Sequence, residues 1–342
     1  MKSILLVEPG TLRAATQPEA APPGPGEALV RVHRVGVCGT DLHAFRGRQP
    51  FFTYPRIPGH ELGVEVLGVG DGVTGVAVGD RCAVEPYLNC GRCVACRRGK
   101  PNCCTDLKVL GVHVDGGLRE RFVVPAAKLH RSAALSFDQL ALVEPLGIGA
   151  HAVERASLTP GETVAVLGVG PIGLAVIQFA LAAGAQVLAV DVEARRLAFC
   201  RDRIGLPADA TINAGATPDV ARRLAELTNG DLPTAVFDAT GNAASMANAF
   251  NHVAPGGRLV FVGLFTGEVT FNDPHFHRRE LTLLASRNSR PDDFRRIITL
   301  VESGRVDTTP WITHRAGLDE VPARFAGWTD PAAGVVKAMI EM

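Results

Sequence analysis

The stretch "CGRCVACRRGKPNCC", residues 90–104, is dense in cysteine, and Cys90, Cys93, Cys96 and Cys104 stand at CxxCxxCx7C spacing. Four thiolates on a backbone made pliable by glycine can close a tetrahedron around zinc. Such a site leaves no coordination position open, so it braces a lobe and does no chemistry of its own. Cys103 is either a spare thiol or an alternative to Cys104.

Two shorter motifs offer a second kind of metal site. Cys38 in "GVCGTDLH" (36–43) and His60 in "PGHELG" (58–63) are ligand types that zinc takes, each in a glycine-flanked turn, and Glu61 adjoins His60. A further acid is out of place: Glu144 in "VEPLGIGAHAV" (143–153) has Val143, Pro145, Leu146 and Ile148 around it. A carboxylate in a dry place needs a partner, because an unpaired buried charge is costly, and a cation would serve.

Residues 163–191, "TVAVLGVGPIGLAVIQFALAAGAQVLAVD", read as strand, tight turn, helix and strand, with Gly168, Gly170 and Gly173 at GxGxxG. The glycines let the backbone approach a pyrophosphate, and the helix start points amides at it. Asp191 ends the second strand 18 residues after Gly173, where a carboxylate can accept hydrogen bonds from ribose hydroxyls and would repel a 2′-phosphate. The cofactor expected from this pattern is NAD rather than NADP, although Arg195 and Arg196 stand close by.

The elements that would carry these residues follow from the same reading. Strand-like runs at 235–240, 256–265 and 280–286 alternate with helical stretches such as "DVARRLAELTNG", which predicts a doubly wound parallel sheet over 148–285. Residues 1–147 hold short strands such as "EALVRVHRVGV" among Gly and Pro, as in a β-rich lobe around a small barrel. The segment "FNDPHFHRREL", with His275 and His277, reads as a connecting loop, since Arg278 and Arg279 beside it are unwelcoming to a cation. "GVGDGV" and "GVHVDGG" read as turns between strands. In the tail, "PDDFRRIITLVESGRV" has the pattern of an amphipathic helix and "GVVKAMIEM" that of a strand.

Bulk composition narrows the partners. Lysine plus arginine and aspartate plus glutamate both total 35 in 342 residues, so no net field exists to hold nucleic acid or an anionic membrane, and a small molecule is the default partner. The start "MKSILLVEPG" meets Glu8 and Pro9 before a secretory pattern forms, and eight cysteines in a chain without an export signal suit metal ligation in a reducing cytoplasm. The 28 uncharged residues from Thr163 to Val190 are long enough to span a bilayer, but "GVGPIG" interrupts them.

"GVCGTDLH", "PGHELG", "GDRC" (79–82), the cysteine lobe and "GVGPIG" occur in the order found in the zinc-containing medium-chain alcohol dehydrogenases, and nearly the whole chain is similar to that family. It resembles most the polyol, sugar-acid and threonine dehydrogenase branch, in which a glutamate takes the place of a second cysteine ligand. Alcohol dehydrogenase itself is the type example of a Cys₂His catalytic zinc site. The resemblance implies an α/β chain with a GroES-like β-rich catalytic domain, 1–147 and 286–342, and a Rossmann domain, 148–285. It implies a catalytic zinc held by Cys38, His60 and Glu61, with Glu144 as fourth ligand or outer acceptor, and a structural zinc in the lobe. Thr40 and His43 would pass the alcohol proton outward, and Arg287 would bind a substrate carboxylate or hydroxyls. Pro171, Ile172, Arg196, Val262 and Leu264 would join Gly168, Gly170, Gly173 and Asp191 around NAD. The loop "DLKVLGVHVDGGLRE" (106–120) is similar to that of dehydrogenases acting on L-galactonate or L-gulonate. The implied reaction is hydride transfer from a secondary alcohol of a polyol or sugar acid, in a homotetramer or else a dimer. A threonine-type amino-alcohol dehydrogenase and a non-catalytic zinc- or nucleotide-binding regulator are the alternatives.

Overall fold

A computed structural model describes residues 1–342. They fold as two compact units, Met1–Pro145 with Arg290–Met342, and Leu146–Ser289. Against the expected 148–285, the second unit also takes in Leu146, Gly147 and residues 286–289.

The first unit opens with a hairpin of β1 (Lys2–Glu8) and β2 (Thr11–Thr16). Its hub is β3 (Glu27–Val37), which pairs antiparallel with β4 (Glu61–Val69) and with β8 (Arg121–Pro125); β5 (Arg81–Val84) and β9 (Leu129–Arg131) extend the sheet beyond β4. A small ladder, β6 (Tyr87–Leu88) with β7 (Lys108–Val109), stands apart. The alternation in β3 buries Ala28, Val30 and Val32, then changes phase to bury Val35 and Val37. The cause is an irregularity against β4 between Val32 and Arg34, since one extra residue turns every later side chain to the other face. Short helices α1 (Gly39–Phe45), α2 (Val94–Arg97) and α3 (Phe137–Ala141) link these strands. Helix α4 (Val143–Ala156) follows, with Glu144 in its first turn.

The strands of the second unit are β10 (Thr163–Leu167), β11 (Gln186–Asp191), β12 (Thr211–Asn213), β13 (Ala235–Asp238), β14 (Arg258–Phe261) and β15 (Thr282–Ala285). They form a wholly parallel six-stranded sheet in the order β12-β11-β10-β13-β14-β15. Most are buried on both faces, which is why they read as continuous apolar runs. The order reverses beside β10, so the carboxyl ends of β10 and β13 flank a switch point, where such sheets bind ligands. The crossovers are α5 (Pro171–Ala182), α6 (Ala194–Phe199), α7 (Val220–Leu227), α8 (Ala243–Asn248) and α9 (Asp273–Arg278). The uncharged run from Thr163 is thus divided among β10, α5 and β11, and no helix is long and apolar enough to cross a membrane. The "HFH" segment is α9 and not a loop: the Asn272 side chain caps the His275 amide at 2.9 Å and Pro274 suits the first turn. His275 Nε2 there faces the Arg279 guanidinium at 2.8 Å.

The tail returns to the first unit as α10 (Pro291–Glu302), β16 (Ile312–Gly317), α11 (Val321–Trp328) and β17 (Lys337–Glu341). β17 pairs parallel with β16 and antiparallel with β3. Leu62, Val64, Phe122, Phe325 and Ile340 share the first core, and Leu167, Val236, Phe250 and Leu259 the second. Each fully buried apolar side chain contributes roughly 1.5–3 kcal/mol.

Candidate metal centre and nucleotide site

The pairing of β3 with β4 sets Gly36 opposite Glu61. Cys38, just past β3, and His60, just before β4, therefore emerge at the same end of the ladder. One ligand atom from each of Cys38, His60 and Glu61 lies within 4.8 Å of the others. The His60 turn is tied down by the loop after β7: Gly116 N–H donates to Ile57 O (2.7 Å), Gly117 N–H to Gly59 O (2.8 Å) and Leu118 N–H to Pro58 O (3.0 Å). The "GVHVDGG" segment is thus a backbone clamp on a candidate ligand.

Asp41, which the sequence reading did not single out, joins the two ligand loops. Its Oδ2 accepts the Cys38 amide at 2.9 Å, and its Oδ1 accepts the Gly59 amide at 3.4 Å and stands 3.8 Å from His60 Nδ1. Burial holds its carboxyl above the usual range, against the pull of His60. For His60, burial would lower the imidazole pKa, but Asp41, Cys38 and Glu144 together carry it well above 6.5. The pocket is an anionic one that favours positive charge. His60 Nδ1 is buried without a hydrogen-bond partner, and sulfur, nitrogen and carboxylate donors converge there, a donor set that fits zinc.

Glu144 is 5% exposed and lies outside that trio, although its charge is felt by His60. Burial raises its pKa, and the Tyr87 hydroxyl donates to its Oε1. Glu61 has a different partner, the buried ammonium of Lys337 on β17, whose Nζ lies 2.6 and 2.8 Å from its two oxygens. Tyr87 and Lys337 belong to none of the sequence motifs. Lys337 carried a signal: it is a lone cation in an apolar strand, the mirror image of the case of Glu144. On α1, Thr40 is half-buried and His43 exposed, and three residues apart they share a helix face. Arg287 is exposed in the segment after β15, which belongs to the second unit.

In the lobe, the sulfurs of Cys90, Cys93, Cys96 and Cys104 gather within 4.8 Å of one another, whereas Cys103 is exposed and stands outside the group. Backbone amides aim at them: Cys93 N–H at Cys90 Sγ (3.4 Å), and Cys90 and Asp106 N–H at Cys104 Sγ (3.2 and 3.4 Å). The amides of Cys96 and Thr105 pull the Cys93 thiol down to about 5, while burial pushes that of Cys104 up to about 11. A cage of sulfurs backed by amide donors fits a closed zinc site.

The nucleotide turn is built as its spacing requires. Gly168 takes φ 82°, Gly170 faces open space, and a Cβ on Gly173 would stand 1.8 Å from Gly168 O. Helix α5 begins at Pro171, with Ile172 and Gly173 in its first turn, and has no side-chain cap, which leaves first-turn amides for an anion. A cavity of ≈ 920 Å³ is lined by Gly168, Gly170, Asp191, Arg196, Thr240 and His252, among others. Asp191 accepts the Val169 and Glu193 amides at 2.7 and 2.8 Å, and Arg196 Nη1 stands 3.5 Å from it. Val262 and Leu264, after β14, do not line this cavity; Leu264 is exposed.

Residues 24–134 match the alcohol dehydrogenase GroES-like domain and residues 171–303 the zinc-binding dehydrogenase family. The L-galactonate-5-dehydrogenase of Escherichia coli K12 is 42% identical over 299 residues, which is 87% of this chain and 87% of that one. The crystal structure of the RspB alcohol dehydrogenase of Escherichia coli CFT073, complexed with NADH, superposes with a TM-score of 0.92 at 32% identity, covering 100% of this chain and 99% of that one. A zinc-binding dehydrogenase of Sinorhizobium meliloti 1021, bound to NADP, gives 0.89 at 31% identity with 100% and 99% coverage. With a GroES-like first unit, a Rossmann second unit and relatives this similar over most of its length, the chain belongs to the polyol branch of the zinc-type medium-chain alcohol dehydrogenases.

Proposed function

We propose that this protein is an NAD-dependent zinc dehydrogenase that oxidises a secondary alcohol of a polyol or sugar acid, of the L-galactonate or L-gulonate kind. The observation that carries the reading is the convergence of half-buried Cys38 with buried His60 and Glu61 within 4.8 Å, with His60 Nδ1 buried and without a hydrogen-bond partner. When bound there, zinc supplies the Lewis acidity that makes a hydroxyl proton labile near neutral pH, and NAD accepts the hydride. Cys38 and His60 are the ligands, with Glu61 and Glu144 as the carboxylates that complete or back the site. Cys90, Cys93, Cys96 and Cys104 hold a structural zinc.

The Thr40 hydroxyl takes the proton from the substrate alcohol and hands it on, and the exposed His43 imidazole releases it to water. Arg287 receives a substrate carboxylate or hydroxyls. Asp191 favours NAD, because its buried charge would repel a 2′-phosphate, even though the related chains include one bound to NADP. The substrate class rests on the 42% identity to L-galactonate-5-dehydrogenase. We place the enzyme in the cytoplasm, consistent with eight free cysteines. Assembly as a homotetramer, or else a dimer, is supported by β15, the end strand of its sheet with three of four residues exposed, an edge that invites pairing with a second copy.

The test is a substrate panel of L-galactonate, L-gulonate, sorbitol, L-threonine and ethanol, followed by nicotinamide absorbance with zinc-replete protein and either NAD or NADP. The highest kcat/KM is expected for an aldonate with NAD. Preference for L-threonine would move the assignment to an amino-alcohol dehydrogenase, and no reduction with any alcohol would make the protein a binding regulator.

A further inference from the structure

The last strand of the chain reaches into the candidate metal centre. Lys337, the first residue of β17, is 2% exposed, and besides the two Glu61 oxygens its Nζ meets Val37 O at 3.2 Å. An ammonium has three protons to donate, and three acceptors surround this one. Two belong to the carboxylate at the start of β4, and the third is the carbonyl directly before Cys38. A single side chain thus binds both segments that carry ligands.

The opposing position explains how the carboxylate fits. Residue 36 is glycine, and a Cβ there would stand 2.1 Å from Glu61 Oε2. The Glu61 carboxylate occupies the space of that missing side chain and is fully buried. With both oxygens already engaged, any turn of Glu61 toward a metal competes with the ammonium. Charge works in the same direction. Buried Asp41, Glu61 and Glu144 gather acidic groups around Cys38 and His60, and the Lys337 ammonium brings positive charge directly onto Glu61.

Building on the metal-centre reading above, we propose that Lys337 is a positioning residue that holds Glu61 back from the metal, which keeps one coordination place open for substrate. The ammonium sets how much of the carboxylate the metal receives.

The test uses full-length protein with zinc in the cysteine lobe and cobalt(II) as the probe in the other centre. Cobalt affinity by chelator competition and the visible cobalt spectrum are compared for wild type, Lys337→Met, Lys337→Arg, Glu61→Gln and the Glu61→Gln/Lys337→Met pair. Lys337→Met is expected to bind cobalt about tenfold tighter or more, with an altered spectrum, since a nearby positive charge is gone and the carboxylate is released. Lys337→Arg should stay near wild type, and the Lys337→Met effect should vanish when Glu61 is already Gln. If Lys337→Met does not fold, Lys337→Gln carries the same comparison. Wild-type affinity and spectrum in the apolar variant, or tightening that persists without Glu61, would overturn the role of Lys337. Cobalt binding in wild type that ignores Cys38→Ser would instead overturn the assignment of the centre, and this inference with it.

Discussion

Asp191→Asn separates the two tasks assigned to one carboxylate. In the native chain its oxygens accept the amides of Val169, inside the glycine turn, and of Glu193, just past β11, at 2.7 and 2.8 Å. Asparagine retains one acceptor and turns an NH₂ toward the other amide, so one charge-assisted bond is lost and the other becomes neutral. Hydrogen bonds to a charged group contribute about 1.5–3 kcal/mol against about 0.5–1.5 for neutral ones, which gives a loss of roughly 2–4 kcal/mol, undiminished by solvent because the residue is buried. The same substitution removes the acceptor proposed for the ribose hydroxyls and the charge that repels a 2′-phosphate. NADH affinity should fall about 10- to 100-fold, on the order of 1.4–2.8 kcal/mol, while NADPH affinity stays level or rises. Urea unfolding followed by circular dichroism measures the first effect, and titration of nicotinamide fluorescence the second. Stability unchanged within a few tenths of a kcal/mol, with an unaltered ratio of NADH to NADPH affinity, would rule out both tasks.

Other outcomes follow from neighbouring features. Burial lowers the His252 imidazole from 6.5 to about 4, so between those values the unfolded chain binds a proton that the folded chain refuses. Stability from this group is therefore whole above pH 6.5 and is lost as pH falls toward 4, by at most about 3.5 kcal/mol, and His252→Asn should flatten that slope in pH-dependent thermal melts. Cys104→Ser should cost the lobe its zinc, measured by metal analysis, and lower the melting temperature; retention of full metal content would show that Cys103 can substitute. Thr40→Val should reduce kcat by about 10²-fold or more with KM little changed, whereas His43→Ala should cost less and be rescued by added imidazole buffer, both read from steady-state kinetics.

The parts legible in the sequence were those written in short-range spacing. GxGxxG set out the turn because each glycine answers a separate local demand, and the four lobe cysteines lie close in the chain. Pairings across hundreds of residues were not legible. Nothing in the period of "GVVKAMIEM" says that β17 lies beside β3, so the partner of Glu61 stayed hidden although Lys337 is as anomalous there as Glu144 is in α4. Asp41 carries no sequence signal for a similar reason: its value lies in reaching Gly59 as well as Cys38, which only the folded loops bring together. At α9 the two arginines suggested a loop, but the Asn272 cap and Pro274 start a helix. The tight pairing of His275 with Arg279 shows that the neighbouring cation is accommodated by hydrogen bonding.

Whether Cys38 and His60 share a divalent ion can be read from anomalous diffraction at the zinc edge, using crystals of the zinc-replete protein. Two peaks per chain are expected, one among the lobe sulfurs and one about 2.3 Å from Cys38 Sγ and about 2.0–2.1 Å from a His60 ring nitrogen. A single peak confined to the lobe, with Cys38 and His60 bare in protein that oxidises its substrate, would leave the proposed chemistry without its metal.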